Sequence, residues 1–469
     1  MSAFAEPSPI QPELVDRVAE NVAAQFPNRI ADLCQLVRIP GIGWDAFDPA
    51  NLDRSAEAVR ALFESTGVFD SVKIERSMKQ DGTGLGNPAV LAHRAAKNGK
   101  PHFLLYAHHD VQPPGDEAEW RTPPFEPTLK DDRIFGRGAA DDKAGVVTHV
   151  TALNVLRELT DNDFEVGISV FIEGEEEAGS LSFSNFLKDF NKELEADVIV
   201  VADSGNWTPE IPALTTTLRG VVSLTFEVQT LDHALHSGMF GGAVPDATMA
   251  LTRILASLHT DDGSVAVQGL HSSVADAVPY DEAALRADSG LLDGVSTVGT
   301  GSIPSRLWTS PSITVIGIDT MGVDVASNTL LPKAKATVSL RVAPGEDADR
   351  AAKLLEQHII DQAPFGAKVT ILDVVTGQPF AVDTSGWAVK LAKDALAKAF
   401  GNPSLEMGVG GSIPFIADLT ENFPQAQILV TGVEDADSRA HSPNESVHLT
   451  SLRGAMVAEA LMLLQANQG

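Results

Sequence analysis

Leu14, Val15, Val18, Ala19 and Val22 recur at helical spacing and predict an amphipathic helix over 13–24. Val59, Leu62 and Phe63 do the same for 54–65, and Val146, Val147, Val150, Leu153 and Leu156 for 144–159. Between such stretches lie short apolar runs of strand length at 103–107, 166–172, 198–201 and 428–430. Each runs into polar residues of one chemical kind. The first is followed by His108, His109 and Asp110, the second by Glu173, Glu175, Glu176 and Glu177, the third by Asp203, and the fourth by a loop carrying His441. Strand, loop and helix in alternation predict an α/β fold with a mostly parallel central sheet. In open sheets of that kind ligands bind beyond the carboxyl ends of the strands, where these side chains are delivered.

From about 213 to 380 the pattern changes. Runs at 221–228, 313–318 and 336–342 alternate apolar and polar residues, and helices are predicted at 246–258 and 347–360. Alternation predicts an antiparallel sheet with one face covered, a smaller α+β domain. It interrupts the α/β unit, which resumes with a helix over 387–400 capped by Thr384 or Ser385 and closes with a helix over 451–465. The expected division is therefore 1–212 and 381–469 for the larger domain and 213–380 for the inserted one.

Composition narrows the function. The formal charge is −30, from 34 basic and 64 acidic residues, so the field repels a phosphate backbone and nucleic acid is not an expected partner. The one cysteine, Cys34, lies among Leu33, Leu36 and Val37 and reads as a core residue in a reducing compartment. Residues 1–12 show neither the basic nor the apolar stretch of a secretory signal, and no apolar run reaches membrane-spanning length. A soluble, cytoplasmic protein is expected.

The ligand-type residues have two readings each. His108 and Asp110 share one side of an extended segment, so one can bind a metal while the other orients a ligand, or both can finish a polar turn. The acids Asp141 and Asp142, after the Gly136-Arg137-Gly138 loop, can serve a site or cap the helix they open. Glu173, Glu175, Glu176 and Glu177 repel one another unless a cation is present, or else form a solvated loop. Taken together with Asp203 and His441, the five segments offer two histidines and several carboxylates with no cysteine, a donor set suited to catalytic zinc. A carboxylate shared between two halves of such a set would make a two-metal site.

In order along nearly the whole chain, Tyr106-Ala107-His108-His109-Asp110-Val111-Gln112-Pro113, residues 136–142, residues 173–180 and His441-Ser442-Pro443-Asn444-Glu445 resemble the successive signatures of the clan MH zinc exopeptidases. That family includes carnosinase, cytosolic nonspecific dipeptidase, aminoacylase and carboxypeptidase G. The Val-Gln-Pro after Asp110 and the Gly410-Gly411-Ser412-Ile413-Pro414 segment resemble the dipeptidase branch most closely. The resemblance implies a zinc-exopeptidase-like catalytic domain interrupted by a lid and dimerisation domain. It implies two divalent ions, zinc with manganese or cobalt as alternatives, one held by His108 and Asp203, the other by Glu177 and His441, with Asp141 bridging. Glu176 is then the general base for the metal-bridging water, Asp110 fixes the tautomer of His108, and a cis peptide joins Asp141 to Asp142. His236 matches a lid histidine that stabilises the oxyanion in the neighbouring subunit of a homodimer. Arg341, Thr329, Ser412 and Gly411 match residues that bind the substrate, the first three at its C-terminal carboxylate. The implied activity is cleavage of dipeptides or short peptides. The alternatives are an N-acyl-amino-acid deacylase or desuccinylase of the same family, or a non-catalytic binding relative. Three positions depart from the family pattern without removing a ligand: Ala107, His109 and Ala144.

Overall fold

A computed structural model describes residues 4, 8–275, 278–410 and 414–468. The chain forms two compact units, one from residues 1–216, 382–407 and 418–469, the other from 217–381 and 408–417.

The first unit is α/β. Four strands of its sheet are parallel and adjacent in the order Gly167–Glu173, His102–His108, Val198–Val201 and Gln427–Val430. Their side chains are almost all buried, which is why each reads as an unbroken apolar run. Two antiparallel strands, Ala89–Arg94 and Val72–Glu75, extend the edge beyond Gly167–Glu173. The helices Pro12–Val37, Lys143–Leu159, Trp387–Phe400 and Leu449–Gln468 pack on one another beside this sheet. Lys143–Leu159 is buried from Lys143 to Leu156, on every side, so it is the central rod of the layer.

Two helices differ from expectation. The first runs on to Val37 through Pro27, a residue that ordinarily costs a helix interior about 3 kcal/mol. The apolar stripe explains it: Phe26, Leu33, Leu36 and Val37 continue the buried face begun by Leu14, Val18 and Val22. The helix Trp387–Phe400 is preceded by Gly386, with no side-chain cap; the Ser385 N–H instead donates to Asp383 Oδ1, two residues earlier.

The second unit is α+β. Its four-stranded antiparallel sheet has the order Ser312–Asp319, Lys333–Val342, Gly220–Gln229, Lys368–Gly377. Gly220–Gln229 and Lys333–Val342 alternate buried and half-buried residues along their lengths. The buried face (Val222, Leu224, Phe226, Val338, Leu340) packs on helices Ala247–Ser257 and Ala348–Asp361. Among the described residues no helix is long and apolar enough to cross a membrane.

Candidate metal centre

The four parallel strands end together, and the chemistry sits at those ends. His108 is the last residue of its strand and is fully buried. Its Nδ1 lies 3.1 Å from the Asp110 carbonyl and 3.4 Å from Asp110 Oδ1, which leaves Nε2 facing Asp141 Oδ1 at 3.0 Å and Asp203 Oδ1 at 3.9 Å. His441 Nε2 lies 3.0 Å from Asp141 Oδ2 and 3.2 Å from Glu177 Oε2. Two donor groups result, His108–Asp141–Asp203 and Asp141–Glu177–His441, each with ligand atoms within 4.8 Å of one another. Asp141 belongs to both, turning one oxygen to each histidine.

The two readings of the Asp141-Asp142 pair divide between the two acids. Asp142 accepts from Gly145 N at 3.2 Å and caps the helix Lys143–Leu159, while its other oxygen accepts from His108 N at 3.2 Å. Asp141 is left for the centre. The peptide between them is cis.

The glutamates divide in the same way. Glu173 accepts from the Tyr106 hydroxyl at 2.7 Å, and burial pushes its acid up to about 8. Glu175 turns away to Asn87 and Ser182. Glu177 reaches the centre, braced by Gln112 through N at 3.2 Å and Nε2 at 2.6 Å. Asp110 accepts from the backbone N–H groups of Glu176 and Glu177 at 3.2 and 3.1 Å, so one carboxylate sets both His108 and the glutamate loop.

The electrostatics fit a cation. Burial, joined by the charges of neighbouring carboxylates, pushes the acids of Glu176, Glu177 and Asp203 up, the last to about 7. Asp141 is buried too, yet the hydrogen bonds of His108 and His441 hold its carboxyl well below the usual range. Hydrogen bonds to Asp141 and Glu177 raise His441 to about 11. Acids crowded this closely need positive charge among them, and imidazole with carboxylate is a donor set that divalent metals accept.

The sequence profile of peptidase family M20/M25/M40 matches residues 104–465. The chain belongs to that family. It is 40% identical over 369 residues, 78% of this chain and 81% of the relative, to a cysteinylglycine-S-conjugate dipeptidase of Corynebacterium striatum. It is 28% identical over 403 residues, 81% of this chain and 80% of the relative, to a β-Ala-His dipeptidase of Rattus norvegicus. Among solved structures, the dipeptidase Dug1p of Saccharomyces cerevisiae shares the fold, with a TM-score of 0.79 at 21% identity over 97% of this chain and 99% of that one.

In this M20 chain the remaining site candidates are more scattered. His109 points away from the centre: its Nε2 lies 2.8 Å from the Pro88 carbonyl, and burial pushes it down to about 4. In the second unit, His236 stands directly opposite Thr329 in a two-residue antiparallel pair, and His236 is exposed. Arg341 is half-buried on the strand Lys333–Val342. Ser412 and Gly411 lie outside the described residues.

Glu445 is the residue that reading for ligands passed over. Fully buried, it accepts from Ala140 N, Asp141 N and Gly138 N at 3.0, 3.2 and 3.0 Å and from Arg137 Nη1 at 2.6 Å. It fixes the loop that aims Asp141. Its sequence signal was the Asn-Glu four residues past His441, paired with an arginine between two glycines.

Proposed function

We propose that the protein is a metal-dependent dipeptidase holding two divalent ions, one at His108, Asp141 and Asp203 and one at Asp141, Glu177 and His441. The observation that carries this is Asp141, whose two oxygens each lie 3.0 Å from a different histidine. Bound there, the ions would supply Lewis acidity to a scissile carbonyl and make an attacking water acidic. Imidazole and carboxylate donors without thiolate suit zinc.

The chain's own residues then divide the work. Glu176 takes the proton of the attacking water and returns it to the leaving amine. Asp110 keeps Nδ1 of His108 occupied, so that Nε2 is the ligating nitrogen. Arg341 and Thr329, with Ser412 and Gly411, take the substrate, and the guanidinium of Arg341 takes its C-terminal carboxylate by charge-assisted hydrogen bonds. His236 donates to the oxyanion in the site of a second copy, and Thr329, its partner across two strands, travels with it. A homodimer is supported by the apolar residues Ile316, Ile318, Val323 and Val325, which are exposed on and just after the edge strand of the second unit. The cytoplasm, with its reduced thiols, suits a chain with one cysteine.

The test is metal analysis joined to a substrate panel of Cys-Gly, β-Ala-His, other dipeptides, and N-acetyl and N-succinyl amino acids. Two equivalents of metal, cleavage of dipeptides and loss of turnover on chelation are expected. Cleavage confined to the acylated amino acids would make the protein a deacylase instead.

A further inference from the structure

Beside Arg341 lies a second guanidinium to which no role has been given. Arg219 immediately precedes the strand Gly220–Gln229, half-buried, in the same unit as Arg341. Its Nη1 donates to Ser312 Oγ at 3.0 Å and lies 3.4 Å from the Ser310 carbonyl, and its Nε donates to the Gly410 carbonyl at 3.2 Å. Its backbone N–H donates to the Val409 carbonyl. Ser312 is the residue directly across the sheet from Arg341, and opposed side chains in an antiparallel pair lie about 5 Å apart at Cβ. The two guanidinium groups therefore converge on one corner of the sheet. Burial and the charge of Arg341 push Arg219 down to about 10, as expected of two guanidinium groups that repel one another.

Among the described residues, no carboxylate pairs with either arginine. Two like charges held together without an acid call for an anion, and the hydrogen bonds that the Arg219 guanidinium donates go to neutral oxygens of the frame. The fit at Gly410 is close: a Cβ there would meet Arg219 Nη2 at 2.8 Å and the Leu307 carbonyl at 3.3 Å. Arg219, Leu307, Ser310 and Ser312 also border a cavity of about 900 Å³. The guanidinium therefore links Gly410 by hydrogen bonds to the start of the strand Ser312–Asp319.

We infer that Arg219 is a positioning residue for dipeptide recognition: it ties Gly410 and the Ser310–Ser312 segment into one frame beside Arg341, whose guanidinium is thereby left free for the substrate's C-terminal carboxylate. The inference rests on the carboxylate role proposed above for Arg341. Lysine cannot replace Arg219, because one ammonium cannot reproduce the planar fork that joins three oxygens on two chain segments.

The test compares kcat and KM for a dipeptide and its C-terminal amide in the wild type, Arg341→Gln, Arg219→Gln and Arg219→Lys, with metal content and melting temperature measured on each. Arg341→Gln should abolish the preference for the free carboxylate. Arg219→Gln should raise KM for the dipeptide about tenfold or more, with the amide nearly unaffected and both metals retained. Arg219→Lys should resemble Arg219→Gln within about threefold. If the Arg219 variants do not fold, Ser312→Ala removes one strut and should shrink the preference by about threefold. Equal losses on dipeptide and amide, no loss at all, or full rescue by lysine would each overturn the inference. Should the wild type show no preference, or Arg341→Gln leave it intact, the carboxylate role of Arg341 itself fails, a result read without any Arg219 variant.

Discussion

The proposed metal centre and the proposed substrate residues of the second unit are built on opposite plans. At the centre every candidate ligand but His441 is largely buried, and three of them are held from behind: His108 by Asp110, which also sets the glutamate loop, Glu177 by Gln112, and Asp141 by Glu445. In the second unit His236 is exposed on a two-residue strand, and Arg341 is half-buried beside another cation. The centre must hold several like charges at fixed separations, so its geometry is over-determined. A surface that meets a varied or mobile partner needs reach more than rigidity. Mutations should therefore behave differently in the two places, with loss of metal in one and loss of recognition in the other.

The largest effect is expected from Asp141→Ala. Because one carboxylate faces both histidines, both ions should leave together and turnover should vanish; elemental analysis that finds one tightly held ion per chain would sink the shared-carboxylate reading. Glu176→Gln should keep both ions and lose about 10²–10⁴-fold in kcat. Loss of metal alongside activity would make Glu176 a ligand and erase the distinction between it and Glu177.

In the second unit His236→Ala should leave metal content and melting temperature unchanged while lowering kcat by about 10²–10³-fold, as for loss of one oxyanion donor. Mixing that variant with Glu176→Ala, under conditions that exchange subunits, should restore one working site per mixed dimer. Exchanged dimers without recovery would show that His236 does not act across subunits.

The smallest effect belongs to the far end of the central sheet. His102 stacks on His93 with ring centroids 5.1 Å apart and meets Ser169 Oγ at 2.8 Å, and burial pushes it down to about 4. Its depressed value means that the unfolded chain binds the proton first. Stability should therefore be intact above about pH 6.5 and fall as pH drops toward 4, by up to about 2 kcal/mol at pH 5. His102→Gln should flatten that part of a urea-melt pH profile; an unchanged slope would exclude His102 as its source.

The buried plan was the easier one to read from sequence. Strands covered on both faces leave unbroken apolar runs, and the acids and histidines that follow them stand out because nothing else explains charge there. The edge strands Val72–Glu75 and Lys368–Gly377 left no such mark; the second of these is largely exposed on both faces. Pro27 hid the second half of the first helix, since a local penalty is visible in sequence and the distant packing that outweighs it is not. Glu445 and Arg219 escaped for the same reason. Apart from Arg137, which pairs with Glu445, their partners are backbone groups and one hydroxyl far away along the chain, and hydrogen bonds to backbone leave little pattern in side-chain identity.

The interrupted order of the first unit has a bearing on synthesis. Gln427–Val430 must slot beside Val198–Val201, and Leu449–Gln468 must dock on Lys143–Leu159, only after residues 217–381 have emerged. Closing so long a loop is slow for a flexible chain, but the inserted segment carries its own four-stranded sheet and core, and by folding early it shortens the effective loop. Until His441 arrives, Asp141 and Glu177 lack their histidine. A growing chain therefore holds a folded insert and three of the four central strands while still unable to assemble the centre, and the capacity for catalysis switches on late.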